Sequence, residues 1–295
     1  MPNYFFNKSV ETFSRSQGLS KTPKKLQIGQ LPLPLRNQIW SVIYQHLERA
    51  VDSHPGIPAY VSGYWAKILY DFETNVVFLP ADEFCSDWDH VRKNYKRLIL
   101  EATYNHVLDF IQYILRHDRK PAQFEFEIEH LFKEHLAAYT LIEDGRTIAP
   151  SATAEEGQAL ANSMAQVRDA GLIGAHQHLI KAIERFNSTQ FADSIRESIH
   201  AVESVARRID PNSSSTLAPA LRNIKQKLYL NDQFLSGVEK IYAYTNSEEG
   251  LRHPLIDDEN AQADDSDALF MIGACASFCS YLVAKGRKAG LIDDT

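Results

Sequence analysis

Cysteine is scarce in this chain, whose 295 residues hold 3: Cys85 stands alone, and Cys275 and Cys279 lie four apart. Such a set builds no disulfide framework. The spacing of Cys275 and Cys279 puts both on one helix face, where they read as small buried hydrophobes with reduced thiols. No Cys/His set has zinc-site spacing, and His130 and His135 miss the arrangement that brings two histidines to one face, so no structural metal is expected. Positive charge is also short: Lys and Arg number 31 against 38 Asp and Glu, leaving a net charge of −7. That balance argues against a generally cationic nucleic-acid binder. Local basic patches remain at Lys21, Lys24 and Lys25, at Arg92, Lys93, Lys96 and Arg97, and at Arg222, Lys225 and Lys227. Each is read first as solvated surface charge. Neither Gly-x-x-x-x-Gly-Lys-Ser/Thr nor Gly-x-Gly-x-x-Gly occurs, so a nucleotide-binding regulator is discounted and no cofactor is expected. No run approaches the roughly 18 apolar residues of a membrane span, and the opening Met-Pro-Asn-Tyr-Phe-Phe-Asn-Lys has no signal-peptide core. The expectation is a cytoplasmic protein without membrane contact.

What is present is helical periodicity. Hydrophobic residues at 44% and charged residues at 23% match an ordinary folded protein. The length suits two domains, expected at residues 1–150 and 151–295, both helical. Pro34 falls in the first turn of a helix within residues 31–52 carrying Leu35, Ile39, Trp40, Ile43, Tyr44 and Leu47. Gly56 and Pro58 mark a loop, and Tyr64, Trp65, Ile68, Leu69 and Phe72 a shorter helix. From Trp88 to Leu115 the spacing reads as one helix, on the order of 40 Å long, with Asp87 or Asp89 as N-cap. Pro121 interrupts, and Phe124 to Leu136 reads as another. The stretch from Ala138 to Pro150 differs, since short β-prone runs flank Asp144-Gly145, the pair that suits a two-residue turn. It reads as a β-hairpin near residues 139–149, packed on a helix at the seam between the halves. Beyond it helices are expected near 153–169, 172–187, 190–208, 217–228, 231–244 and 264–287. The last is too apolar to lie exposed and reads as a core or interface helix. The acidic connection 257–267 supplies negative charge to its N-terminus.

Two polar clusters carry the side chains of phosphodiester chemistry. The stretch from Tyr242 to Pro254 sets Glu248, Glu249, Arg252 and His253 in a polar loop between two apolar helical patterns. Histidine titrates near neutrality and serves as base or acid, and arginine offers a planar fork of donors to a phosphate. The bland reading of the same loop is that Gly250 and Pro254 shape a turn whose charges cap the next helix. The second cluster is Arg196, Glu197 and His200, with Glu203 close by. Arg196 and His200 stand at i and i+4 on one helix face, an arrangement read first as an ordinary surface network.

From Phe13-Ser14-Arg15 through Leu35-Arg36-Asn37-Gln38-Ile39-Trp40 the sequence resembles the N-terminal domain of AbiJ-type abortive-infection proteins of bacteria. Three later stretches resemble the HEPN-like helical domain usually attached to it. They are Phe-Ala-Asp-Ser-Ile-Arg-Glu-Ser-Ile-His-Ala-Val-Glu-Ser-Val-Ala-Arg from Phe191, then Tyr-Thr-Asn-Ser-Glu-Glu-Gly-Leu-Arg-His, then Asp267 to Leu282. The resemblance implies phage defence, an antiparallel C-terminal bundle that forms a homodimer, and RNA as partner, cleaved in many members without metal. It leaves the N-terminal domain free to meet a protein partner or to sense a signal. In those ribonucleases an arginine and a histidine are separated by several residues, whereas Arg252 and His253 are adjacent. Adjacent residues diverge by about 100° on a helix, so the pair converges only in a loop. Carried over, His253 moves protons, Arg252 binds phosphate and Glu248 or Glu249 orients the imidazole. The rival is a non-catalytic dimerisation or partner-binding module in which Arg252 and His253 hold the loop against Glu248, Glu249 or Asp257.

Overall fold

Apolar side chains at every third or fourth position set most of the architecture. The computed structural model describes residues 25–142, 145–211, 217–246 and 263–293. It is 69% helical, with 11 helices and two small two-stranded antiparallel sheets among the described residues, the mainly α class that the periodicity predicts. The chain divides into two compact units, Met1–Ile148 and Ala149–Thr295.

In the first unit, helix α1 (Leu33–Glu48) carries Pro34 in its first turn, where a missing N–H costs nothing. It buries Leu35, Ile39, Ile43 and Leu47 along one stripe. Strands β1 (Val51–His54) and β2 (Ile57–Val61) then pair Val51 with Val61 and Asp52 with Tyr60. A loop is the expectation there. Gly56 makes the turn at φ +82°, and most of the hairpin is exposed, so it lacks the alternation of burial that a sequence pattern can reveal. Helix α2 (Gly63–Asn75) buries Trp65, Ile68, Leu69 and Phe72.

The single helix expected from Trp88 to Leu115 is two: α3 (Trp88–Glu101) and α4 (Tyr104–Arg116), broken where Ala102 and Thr103 turn extended. Periodicity persists across the break because both helices bury apolar stripes, Val91, Tyr95 and Ile99 on one and Val107, Phe110, Ile111 and Ile114 on the other. Helix ends leave carbonyls without partners, and here Arg36 supplies them. Its Nη1 donates to Ile99 O and Ala102 O, both at 2.8 Å, while its Nε donates to Leu31 O at 2.7 Å. Asp87 is the N-cap of α3, accepting from the His90 N–H at 2.9 Å. Helix α5 (Phe124–Glu134) adds Phe124, Ile128, Leu131 and Phe132 to the core of this unit.

The expected hairpin is present as β3 (Tyr139–Ile142) and β4 (Thr147–Pro150). The first strand ends at Ile142 and the second begins at Thr147, and the Arg146 N–H donates to Ile142 O at 3.0 Å. Glu143 and Asp144 lie outside the described residues. Helix α4 holds the second strand, since Arg116 donates to Thr147 Oγ1 at 3.0 Å and Gln112 accepts from the Ile148 N–H at 2.9 Å. Gly145 has φ +84°, and a Cβ there would stand 2.7 Å from Glu125 Cβ. Gly145→Ala therefore meets both a backbone penalty and a clash, and about 1–3 kcal/mol of destabilisation is expected. Thermal melting checks this, and an unchanged transition would contradict the requirement for glycine.

The second unit comprises α6 (Ala154–Asp169), α7 (Ile173–Asn187), α8 (Phe191–Ile209), α9 (Leu217–Leu228), α10 (Asp232–Asn246) and α11 (Asp265–Lys288). Thr153 caps α6 by accepting from the Glu156 N–H at 3.0 Å. Asp264 and Asp267 form a reciprocal capping box on α11, placing negative charge where the helix dipole favours it. Helix α8 is central and buries Ile195, Ile199, Val202, Val205 and Ile209. Helix α11 buries Met271, Ile272, Cys275, Phe278, Cys279 and Leu282, the core role expected for it. By length and composition α11 also reaches the threshold for a membrane span, contrary to the expectation that no segment would, and half of its apolar window is buried within the protein.

Candidate functional site

The connection from Ser188 to Gln190 is short, so α7 and α8 fold back on each other and residues equidistant from it meet. Ser194 Oγ donates to Ala182 O at 2.7 Å in the buried interface. Four residues further out, His178 Nδ1 lies 2.7 Å from Glu197 Oε2, and the His178 and His200 rings sit edge to face with centroids 5.4 Å apart. At the far end Gly174 lies so near Ser204 that a Cβ would come within 2.9 Å of the hydroxyl oxygen. Small residues at both ends thus set the approach that brings three polar side chains together, all half-buried. Their ligating atoms lie within 4.8 Å of one another.

This arrangement includes two of the residues marked in the second sequence cluster and omits the third. Glu197 and His200 share the site, but Arg196 is exposed and pairs with Asp193 on its own helix. Position i+4 on a helix brings Cβ atoms near each other, but the long arginine side chain follows the nearest carboxylate. His178 was missed because it belongs to the preceding helix. The signal that finds it is the fold-back register about residues 188–190. Glu203 is buried and takes Arg207 Nη2 at 3.2 Å, outside the cluster. Glu248, Glu249, Arg252 and His253 lie outside the described residues.

A second feature is an apolar groove of about 340 Å³ in the second unit. Its floor is Ile199 and Val202 of α8, and its walls are Phe234, Val238, Ile241 and Tyr242 of α10 facing Met271, Cys275, Phe278 and Tyr281 of α11. Phe234 is 44% exposed and Ile241 38%, so the groove is open. The two walls run antiparallel: Phe234 meets Phe278 and Tyr281, while Lys240 and Ile241 share a smaller adjoining pocket with Asp267, Phe270 and Met271. Helix α10 therefore ends and α11 begins at the same end of the groove. Burial pushes the Cys275 thiol up to about 12 and the Cys279 thiol well above the usual cysteine range, which disfavours the thiolate form.

Four residues of the described basic patches are paired with carboxylates. Arg92 pairs with Asp89, Arg222 with Glu239, Lys225 with Asp232 and Lys227 with Asp210. Lys93, Lys96 and Arg97 are exposed on α3.

Comparison with protein families gives a match to AbiJ N-terminal domain 4 over residues 11–166, a little over half of the chain. The chain belongs to the AbiJ N-terminal domain 4 family. This membership sets it in an abortive-infection, phage-defence context. The matched span takes in the Phe13 to Trp40 stretch and runs through β4 into α6. Comparison with curated proteins and with solved structures gives no match.

Proposed function

We propose that this AbiJ-type chain acts in phage defence as a homodimer whose second unit, a HEPN-like bundle, cleaves RNA without metal. The observation that supports the reading is the open apolar groove between α10 and α11, at one end of which α10 finishes and α11 begins. An open apolar trough between α10 and α11 is the kind of surface that a second copy covers, and a two-fold contact places the same patch on both partners. Two copies docked there bring two sets of Glu248, Glu249, Arg252 and His253 into one dimer.

The chemistry follows from the groups. The RNA 2′-oxygen attacks the adjacent phosphorus as the bond to the 5′-oxygen breaks, leaving a 2′,3′-cyclic phosphate and a free 5′-hydroxyl. One histidine takes the 2′ proton and a second delivers a proton to the departing oxygen. The arginine holds the phosphorane charge. Each copy has one His253 and one Arg252, so the dimer supplies the base, the acid and two cations.

The second reading, a non-catalytic dimerisation or partner-binding platform, is favoured by the carboxylates that pair with Arg92, Arg222, Lys225 and Lys227. Light scattering and RNA cleavage assays on the same preparation test both. A dimer that cleaves supports the proposal, a dimer inert toward RNA supports the platform, and a monomer at roughly tens of micromolar overturns the groove-mediated contact.

A further inference from the structure

We infer that His178, Glu197 and His200 form a binding site for a zinc-class divalent transition metal, independent of the RNA-cleaving loop. The residue types, spacing and geometry agree on this. Glu197 and His200 stand at i and i+3 on α8, the Glu-x-x-His spacing that projects a carboxylate and an imidazole from one helix face toward a metal in a bundle. His178 comes from the facing helix α7, giving two imidazoles and one carboxylate. That donor set suits Zn²⁺, Fe²⁺ or Co²⁺ rather than the all-oxygen shells of Mg²⁺ or Ca²⁺.

Around a tetrahedral zinc ion with bonds near 2.0–2.1 Å, ligand atoms stand about 3.3–3.4 Å apart. Here they span from 2.7 Å, between His178 Nδ1 and Glu197 Oε2, to at most 4.8 Å. Rotamer adjustments of under about 1.5 Å close the set, well within the reach of half-buried side chains. The short His178–Glu197 contact is a hydrogen bond that a metal replaces, releasing any proton held there. Arg196, the nearest cation along the helix, is engaged by Asp193 and leaves the carboxylate of Glu197 to the histidines. His200 makes no hydrogen bond among the described residues, so its ring is available as a ligand. The side chains of His178 and Glu197 remain 33% and 22% exposed, which leaves an open position for water as the fourth ligand.

The test is titration of chelator-treated, full-length protein with Co²⁺, followed by visible absorption, and with Zn²⁺, followed by thermal melting. The wild type is expected to give the intense absorption of tetrahedral cobalt with one equivalent bound, displaced by Zn²⁺. At roughly hundredfold excess over Kd, Zn²⁺ is expected to raise the melting temperature by about 5 °C or more. His200→Ala and Glu197→Gln should each weaken binding by roughly a hundredfold or more and abolish the cobalt spectrum, while His130→Ala, on the surface of the first unit, should leave it unchanged. His200 is half-exposed, so its alanine variant should melt like the metal-free wild type and separates loss of ligation from loss of fold. Absence of the tetrahedral spectrum in the wild type, or its retention in both His200→Ala and Glu197→Gln, would overturn the site.

Discussion

Arg252→Ala and His253→Ala are each expected to cost on the order of a hundredfold or more in RNA cleavage while leaving the melting temperature close to that of the wild type. In the proposed mechanism Arg252 stabilises charge that develops only as the phosphorane forms, so its loss should act on turnover more than on RNA binding. The two copies of His253 share the proposed proton transfers, so a mixed dimer with one wild-type and one His253→Ala chain should also be impaired. The platform reading reverses the pattern. If the pair holds the loop through a buried charged network, truncation of one member leaves the other unpaired and costs roughly 3–5 kcal/mol in stability. Melting temperature and cleavage, measured on the same two variants, tell these outcomes apart. Stable variants that cleave as well as wild type would remove the loop from the chemistry.

Ile241→Glu should convert the homodimer to a monomer, weakening association by at least about a hundredfold, because the contact must bury an unpaired carboxylate. The fold should tolerate it. Ile241 is 38% exposed on the wall of the groove, so the glutamate keeps its water in the separate chain. Sedimentation or light scattering reads the association, and RNA cleavage should fall with it because the composite site needs both copies. A variant that stays dimeric would place the contact elsewhere on the molecule.

Helices were legible in the sequence wherever burial repeats along one face. The stripes of α1 and α8 and the apolar α11 appear as strings of Leu, Ile, Val and Phe, and Pro34 and Thr153 mark the starts of α1 and α6. The same signal misled at residues 102–103, because two successive helices burying stripes in one core keep a continuous period while the chain turns between them. What breaks them is tertiary: the Arg36 guanidinium on the carbonyls of Ile99 and Ala102, set 63 and 66 residues away. The exposed β1–β2 hairpin escaped notice for the opposite reason, since few of its side chains are buried. At the candidate site, Glu197 and His200 were visible because their spacing lies within one helix. His178 was not, because a partner on another helix is found only once the fold-back at residues 188–190 fixes which positions face each other.

Incubation of purified protein with total RNA in excess chelator tests the proposed metal-free cleavage by the dimer most directly. Fragments ending in 2′,3′-cyclic phosphate are expected with wild type and should be lost in His253→Ala. Intact RNA after prolonged incubation with the wild-type dimer would contradict the proposal.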